Sequence, residues 1–270
     1  MSTPTLQLEG ISKTFHAGTV NECAALRDVY LTLGKGDFVM IIGSNGAGKS
    51  TLFNAICGSF EPDSGRILLN GADITHMPDY RRALSIGRLF QDPMRGTSPN
   101  LTVEENLSLA YGRKAHHSFF ALNKHNSRFF QEKLSRLDLG LEDRMATKIG
   151  LLSGGQRQAV ALLMCTIAQP QVLLLDEHTA ALDPATAKKV LDITVELVEQ
   201  TQTATMMITH DVRAALSTGN RTIMMDEGQI LMDIQGEARQ AMTLNDLLSL
   251  YSQQSKHQLL NDRMLFELAK

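Results

Sequence analysis

The sequence has no tryptophan and only three cysteines among its 270 residues. Cys23, Cys57 and Cys165 are odd in number, lie far apart in the chain and show no metal-ligand spacing. This scarcity excludes a disulfide framework and a cysteine-based zinc site, and it is typical of a reduced, cytosolic protein.

Long apolar runs and an excess of one charge are also missing. No apolar run approaches the roughly 18 residues that a membrane-spanning helix requires, and Met1–Thr5 lacks the basic-then-apolar pattern of a secretory signal. The formal net charge is only −3, which argues against bulk nucleic-acid binding. We therefore expect a chain with no membrane span, no secretory leader and no nucleic-acid partner. A hydrophobic fraction of 43% still provides for a sizeable core.

What the sequence does contain is an alternation of strand and helix patterns. A period of two at 29–33 and an apolar run at 38–42 predict strands, and residues 49–57 predict a helix. A helical stretch at about 93–150 follows. The later part predicts helices at 159–168 and 186–200, strands at 172–175 and 205–208, and a hairpin at 222–232. The alternation predicts an α/β fold with a mostly parallel sheet.

A glycine-rich segment between the predicted strand and helix has the pattern of a phosphate-binding loop. Its residues are Gly43, Ser44, Asn45, Gly46, Ala47, Gly48, Lys49 and Ser50, with Thr51 next. Glycines let backbone N–H groups converge on phosphate oxygens, and the positive end of the helix dipole points at the same place. Lys49 adds charge toward the β- and γ-phosphates, and the Ser50 hydroxyl is a ligand for Mg²⁺. A chance glycine-rich turn is disfavoured by the strand–loop–helix context.

Two carboxylates end the apolar strand that begins at Val172. Asp176 is placed to hold Mg²⁺, and Glu177 is a candidate general base for the attacking water. A pair of solvated acids at a strand end is the alternative, and the phosphate-binding loop in the same chain weighs against it.

The pentapeptide Leu152-Ser153-Gly154-Gly155-Gln156 opens the next predicted helix, whose N-terminal N–H groups can meet an anion. By itself this is a common serine-capped helix start. Between the two nucleotide motifs, however, the chain resembles the ATP-binding subunits of ATP-binding cassette (ABC) systems, whose hallmark is this pentapeptide.

The resemblance covers residues 6 to about 235, and further motifs follow in the family's order. Gln91 matches the glutamine loop, a contact for Mg²⁺ and water, and Asp183 matches the aspartate loop at the dimer interface. His210 matches the switch histidine that contacts the γ-phosphate. Phe15 matches the aromatic that stacks on adenine, with a core role as the alternative and His16 as a weaker candidate.

The resemblance implies an ATPase with ATP and Mg²⁺ as cofactors and three groups of site residues. The implied catalytic residues are Glu177, His210, Lys49 and Gln91, and the implied metal ligands are Ser50, Gln91 and Asp176. ATP is bound by Phe15 and the loop residues 43–51. The second copy's ATP is contacted by Ser153, Gly154, Gly155, Gln156 and Asp183. A single copy of each motif implies a head-to-tail dimer, formed by two copies of this chain or by this chain and a related one.

The implied fold is a P-loop NTPase core with a mostly parallel sheet, an N-terminal antiparallel β-subdomain and an inserted α-helical subdomain. The core is assigned to 1–92 and 151–244, the helical insertion with the signature loop at its end to 93–150, and a C-terminal helix to 245–270. That helix packs on its own domain or on a partner subunit, and we favour the first.

The implied function is ATP-driven solute transport by dimer closure and opening. Integral membrane permease subunits in separate chains and an extracytoplasmic solute-binding protein are the implied partners, and the location is the cytoplasmic, inner face of the membrane. The segments 90–97 and 177–183 also resemble those of ATPases of bacterial importers for amino acids, including aromatic ones. The alternative is an ATP-driven switch that regulates an envelope or nucleic-acid partner without transport.

Two features depart from the simple pattern. The family usually has proline after the catalytic glutamate, and this chain has His178, which we interpret as a loop substitution rather than an extra polar contact at the site.

The basic, phenylalanine-containing stretch 113–136 is expected on the side of the membrane partners. The alternative, a solvated basic helix with an apolar core face, is favoured for its individual residues.

Overall fold

The structure is a computed structural model that describes residues 3–112 and 124–254. The strands are β1 Leu6–Phe15, β2 Cys23–Leu33, β3 Phe38–Gly43, β4 Ser64–Leu69, β5 Ala72–Asp73, β6 Ile86–Leu89, β7 Val172–Asp176, β8 Ala204–Ile208, β9 Arg221–Asp226 and β10 Gln229–Gln235. The helices are α1 Lys49–Cys57, α2 Asp79–Arg82, α3 Val103–Tyr111, α4 Lys124–Ser135, α5 Gly154–Ile167, α6 Pro184–Thr201, α7 Val212–Ser217, α8 Gly236–Ala241 and α9 Leu244–Gln254. The chain divides into two compact units, Met1–Arg82 with Ala204–Lys270, and Ala83–Thr203.

The centre of the first unit is β3, a strand whose residues are all buried. It pairs in parallel with β8 on one side and with β9 on the other, and β10 extends the sheet antiparallel to β9. A strand that is covered on both faces must be apolar throughout, which explains why residues 38–42 show no alternation.

The first unit also contains an antiparallel sheet with the strand order β2-β1-β4-β5. The predicted period of two in β2 is confirmed, because Val29, Leu31 and Leu33 are buried while Tyr30 is 63% exposed. One face of this sheet therefore packs on the core and the other faces water.

A buried arginine closes the far end of α1. Arg82 donates from Nη1 to the carbonyl oxygens of Ala55 and Ile56, at 2.9 and 3.0 Å. Its other nitrogens donate to the carbonyls of Thr75 and Met77. These donors tie the end of α1, where the Gly58 N–H also donates to the Ala55 carbonyl, to the segment that precedes α2.

The second unit is built on β6 and β7, which pair in parallel, and on helices α3 to α6. Both α3 and α5 begin with a capping box, formed by Thr102 with Glu105 and by Ser153 with Gln156. In this box the side chains satisfy N–H groups that a helix start leaves open. The helix predicted at 159–168 thus begins earlier, because Ser153 sets its start.

Part of the basic stretch lies outside the described residues, namely 113–123. Phe130 of α4 is fully buried, whereas Arg136, directly after the helix, is exposed and pairs with Glu132 at 2.8 Å. These two positions follow the pattern of a solvated helix with an apolar core face.

The other element predictions are largely confirmed, with α1 and the strand starting at Val172 in place and β9 and β10 adjacent around the predicted turn. The described part of the C-terminal helix packs on its own unit, since Leu247 is fully buried and α9 contacts α7; residues 255–270 lie outside the description. Among the described helices, none combines the length and apolarity needed to cross a membrane. The domain boundaries stay a prediction.

Candidate active site

The phosphate-binding loop follows β3 directly, and its first residue can only be glycine. Gly43 has φ +150°, and a Cβ there would lie 2.1 Å from the backbone oxygen of Met225 on β9. Any side chain would push the loop away from the sheet. The loop therefore leaves the strand at an angle fixed by its neighbour.

Lys49 is the first residue of α1 and is 6% exposed. Its Nζ atom donates to the carbonyl oxygens of Gly43 and Ser44, at 2.7 and 2.9 Å. The ammonium group is thus held over the loop by the loop's own backbone. Because the N-cap of α1 is Gly48, the helix start has N–H groups and a positive dipole end but no capping side chain, which is the chemistry of a phosphate site.

His210 lies at the same edge of the sheet as this loop. Ile208, the last residue of β8, pairs with Ile41 of β3, and the Thr209 N–H donates to the Ile41 oxygen at 3.1 Å. Because the carboxyl ends of parallel strands share an edge, His210 and the loop after β3 are brought together. His210 is half-buried.

Asp226 is a loop contact that sequence reasoning missed. It ends β9 beside β3, is 5% exposed, and accepts a hydrogen bond from Ser44 Oγ at 3.1 Å. The sequence marked residues 226–228 only as a hairpin turn, and the parallel pairing of β3 with β9 is what brings the carboxylate to the loop.

Phe15, the candidate adenine contact, is half-buried at the end of β1. Its ring lies edge-on to Phe60, with centroids 5.2 Å apart, and Lys13 Nζ lies 5.7 Å from its centroid. His16 is exposed and has φ +53°. The stacking role of Phe15 stays a prediction.

In the second unit, Gln91 and Glu177 are brought together by the pairing of β6 with β7. Leu89 pairs with Leu175, so both following segments leave the same edge, and Gln91 Nε2 donates to Glu177 Oε2 at 3.2 Å. Glu177 has φ +45°, a left-handed conformation that costs a non-glycine residue about 1 kcal/mol. The carboxylate is therefore held in a strained but specific geometry.

Asp176 has a cationic neighbour that sequence reasoning also missed. Arg88 Nη2 lies 3.5 Å from Asp176 Oδ2, and both side chains are only 13% exposed. The Arg88 guanidinium also lies 4.6 Å from the centroid of the Phe90 ring. Because successive side chains of a strand point to opposite faces, the sequence indicates that Arg88 and Leu89 of β6 lie on different faces of the sheet. The partner of Arg88 on β7 could not be predicted, since it depends on strand pairing.

The signature residues form the start of α5. The Ser153 Oγ atom accepts from the Gln156 N–H at 3.3 Å, and Gln156 Nε2 donates to the Leu139 carbonyl at 3.1 Å. Ser153 is exposed, whereas Gly155 is buried against α6, where a Cβ would lie 2.1 Å from Thr186 Cγ2. The second glycine thus permits a close approach of two helix starts.

Asp183 is the N-cap of α6 and is exposed. Its Oδ1 atom accepts from the Thr186 N–H at 3.1 Å. Hydrogen bonds from the Thr186 side chain and backbone lower the pKa of this carboxyl from its ordinary value. The aspartate loop and the close contact at Gly155 therefore meet at the same residue, Thr186.

His178 lies in the loop between β7 and α6, and its interpretation as a loop substitution stays a prediction. It is 1% exposed, and its Nε2 atom lies 3.1 Å from Thr194 Oγ1 on α6. The sequence could not reveal this, since a single histidine after a strand gives no burial signal.

The residues present fit ATP and Mg²⁺. The loop after β3 combines a buried lysine with an uncapped helix start, which suits phosphate oxygens. Ser50, Gln91 and Asp176 carry hydroxyl, amide and carboxylate oxygens, the hard ligands that Mg²⁺ takes. All three are described, Ser50 in the first unit and the other two in the second.

Comparison with known proteins decides the family. The family model described as ABC transporter matches residues 26–180. The chain belongs to this family.

Relatives of the ABC transporter family match nearly the full chain. A tyrosine transport ATP-binding protein of Clostridioides difficile (strain R20291) is 38% identical over 243 residues, covering 90% of this chain and 97% of the relative. A phosphonates import ATP-binding protein of Rhodopseudomonas palustris (strain BisB18) is 34% identical, covering 92% and 90%. A thiamine import ATP-binding protein of Escherichia coli (strain K12) is 36% identical, covering 81% and 86%.

Solved structures of cassettes have the same fold. The ATP-binding cassette MJ0796, solved as a dimer in a post-hydrolysis state with ADP and Pi, has a TM-score of 0.74 at 29% identity and covers 85% of this chain and 98% of that one. The cbiO1 protein of Clostridium perfringens has a TM-score of 0.75 at 25% identity and covers 99% and 100%.

The resemblance drawn from the sequence is therefore confirmed. The chain is an ABC ATP-binding subunit with the predicted fold class, ATP hydrolysis is the family's activity, and ATP and Mg²⁺ are its cofactors. The roles of the individual site residues stay predictions.

Proposed function

We propose that this chain is the ATP-hydrolysing subunit of an importer, and that ATP closes and hydrolysis opens a head-to-tail dimer of two copies. The observation that carries the ATPase role is Lys49, buried and held over a phosphate loop by two backbone carbonyls. Such a cation at a helix start stabilises phosphate charge in both the bound and the reacting nucleotide.

The proposal gives each site residue one task. The loop 43–51 binds the phosphates, Phe15 stacks on adenine, and Ser50, Gln91 and Asp176 hold the metal. Bound Mg²⁺ neutralises charge that develops on the phosphoryl oxygens. Glu177 accepts a proton from the attacking water, and His210 contacts the γ-phosphate.

Glu177 is suited to the base role by its surroundings. Gln91 Nε2 donates to one of its carboxylate oxygens, which orients the group. A base has to lie within hydrogen-bond reach of the water that it activates, so an oriented carboxylate raises the rate more than a mobile one.

The signature loop acts on the second copy. In the proposed dimer, Ser153, Gly154, Gly155, Gln156 and Asp183 of one copy contact the ATP bound by the other. The exposure of Ser153 and its position at the N-terminal end of α5 support this, since the positive end of a helix dipole attracts an anion. Loss of the γ-phosphate removes these contacts, and the dimer opens.

The membrane partners and the cargo are inferred from the relatives. Their names refer to tyrosine transport and to phosphonates and thiamine import. We therefore propose permease subunits in separate chains, a location on the inner face of the membrane, and an extracytoplasmic solute-binding protein. The tyrosine transport relative and the local similarity noted in the sequence favour an amino acid as cargo.

The variant Glu177→Gln tests the hydrolytic role. We expect turnover to fall by about 10²–10⁴-fold, the contribution of a general base, while MgATP binding is retained and ATP-dependent dimers accumulate in size-exclusion chromatography. Glu196→Gln is the matched control, an exposed glutamate on α6 that bonds Gln200. Near-normal turnover of Glu177→Gln would remove Glu177 as the base, and a monomer with ATP would remove the dimer mechanism.

The transport role is tested in cells. Deletion of the chain is expected to abolish uptake of a labelled amino acid, and the wild-type chain but not Glu177→Gln restores it. Uptake that survives deletion, with the same rate as in the parent, would contradict the importer assignment. A preparation that purifies with nucleic acid and no membrane protein would instead support the switch alternative.

A further inference from the structure

A buried polar pair joins the residue after Glu177 to the middle of α6. His178 is 1% exposed, Thr194 is fully buried, and His178 Nε2 lies 3.1 Å from Thr194 Oγ1. Residues of these types are rarely buried without a partner, because an unpaired polar atom inside a protein is costly. The pair is therefore a specific contact.

The direction of this hydrogen bond follows from the second bond of Thr194. The Thr194 hydroxyl donates to the Val190 carbonyl at 2.7 Å, so its oxygen is left to accept from His178. Nε2 of His178 is therefore the donor in this bond. Among the residues that the structure describes, Nδ1 has no hydrogen-bond partner.

The pair anchors a short loop that joins two parts of the site. The Ala180 N–H donates to the Glu177 carbonyl at 3.1 Å, and the Leu182 N–H donates to the Thr179 carbonyl at 3.2 Å. Asp183 then caps α6. The loop thus begins at the candidate base and ends at the aspartate loop, and His178 is its buried point.

His178 directly follows a strained residue. Glu177 has the left-handed φ of +45°, and Gln91 Nε2 donates to its carboxylate. Glu177 is thus held by Gln91 at its side chain and by the buried His178 directly after it in the chain.

We propose that His178 is a positioning residue for ATP hydrolysis: its hydrogen bond to Thr194 holds the loop after Glu177 and so keeps the carboxylate beside Gln91. The inference rests on the proposed base role of Glu177. It predicts that loss of the bond slows turnover without weakening ATP binding, because the phosphate loop is built from other residues.

Steady-state ATPase assays of the purified full chain test the proposal with two variants that break the bond from opposite sides. Thr194→Val removes the hydroxyl and keeps the shape, and His178→Leu removes the ring nitrogens. Each is expected to lower kcat about tenfold with KM for MgATP within about twofold, and the double variant is expected to be no slower than the single ones. His178→Gln keeps a donor near the Nε2 position and is expected to restore most of kcat.

The control is Thr201→Val, which removes another α6 hydroxyl, one that donates to the Leu197 carbonyl at an exposed position. Thermal unfolding by circular dichroism is measured for every variant. The proposal is overturned if Thr194→Val keeps kcat within twofold of wild type. It is also overturned if the double variant shows the product of the two single losses, or if His178→Gln is as slow as His178→Leu. Slow Glu177→Gln with fast Thr194→Val would reject this inference alone, whereas fast Glu177→Gln would reject the base role itself.

Discussion

A methyl group added at Gly155 is expected to destabilise the second unit through one contact. The Cβ of Gly155→Ala would lie 2.1 Å from Thr186 Cγ2, whereas carbon atoms in contact prefer about 3.5–4.0 Å. Rotation of Thr186 would relieve the overlap but would take its hydroxyl away from Asp183, whose pKa is lowered by that bond. Overpacking of this kind costs about 1–3 kcal/mol.

The magnitude is isolated by a double-mutant cycle. Thr186→Ser removes the overlapping methyl group and keeps the hydroxyl, so in that background Gly155→Ala should be neutral or slightly stabilising, because alanine is the better helix former. The expected coupling free energy is therefore about 1–3 kcal/mol. Gly154→Ala is the control, since its Cβ would meet Leu182 Cδ2 at 3.4 Å, an ordinary contact.

Urea unfolding of the four cycle members and the control, followed by circular dichroism, measures these free energies. A coupling below about 0.5 kcal/mol, the range of independent sites, would refute the steric argument. So would a Gly154→Ala variant that loses as much stability as Gly155→Ala, because the loss would then come from the helix start and not from Thr186.

Three further outcomes follow from buried charges and polar groups. The pKa of His178 is about 4 in the folded chain and about 6.5 in the unfolded chain. Between these two pH values the unfolded chain binds more protons than the folded chain, so the free energy of unfolding falls as the pH drops from about 6.5 to 4. At about 1.4 kcal/mol per pKa unit, wild type should lose about 2–2.5 kcal/mol more free energy of unfolding than His178→Gln between pH 7 and pH 4.5 in urea unfolding, and parallel losses would contradict this. Arg82→Leu removes four side-chain hydrogen bonds to the carbonyls of Ala55, Ile56, Thr75 and Met77 and should cost about 2–4 kcal/mol; Arg82→Lys cannot supply the same fork and should recover less than half, and Arg81→Leu, at an exposed neighbour, is the control. Lys49→Ala should weaken MgATP binding at least about tenfold in a fluorescent-nucleotide titration, while the exposed Lys188→Ala binds as wild type does; equal affinities would remove Lys49 from the phosphate site.

The parts of the fold that were predictable are those with a local cause. Residues 38–42 are apolar because β3 is covered on both faces, and the alternation at 29–33 reflects one wet face. The start of α5 at Gly154 was visible only as a possible serine cap, because the apolar period begins later, at Ala159. Capping chemistry, and not hydrophobic periodicity, sets that boundary.

In the candidate site, too, the predictable part is the one with a local cause. Lys49 and the phosphate loop could be predicted from the sequence because one contiguous segment carries all of their functional groups. The contacts of Ser44 with Asp226 and of Asp176 with Arg88 join residues that are distant in sequence, so they depend on strand pairing. The burial of His178 was not predictable for a related reason: it depends on α6, which packs over the ring only in the folded chain.

The pairing register of β6 with β7 also determines which assay can detect a misfolded chain. Gln91 reaches Glu177 only in the register that pairs Leu89 with Leu175. A slip of one residue would displace the amide by about 3.3 Å and turn alternate side chains to the opposite face. Gln91 and Asp176 are also proposed metal ligands, so such a misregistered chain would lose the oriented base and part of the Mg²⁺ site, while Lys49 would stay over the phosphate loop that follows β3. Hydrolysis therefore tests the register of β6 and β7 more stringently than nucleotide binding does.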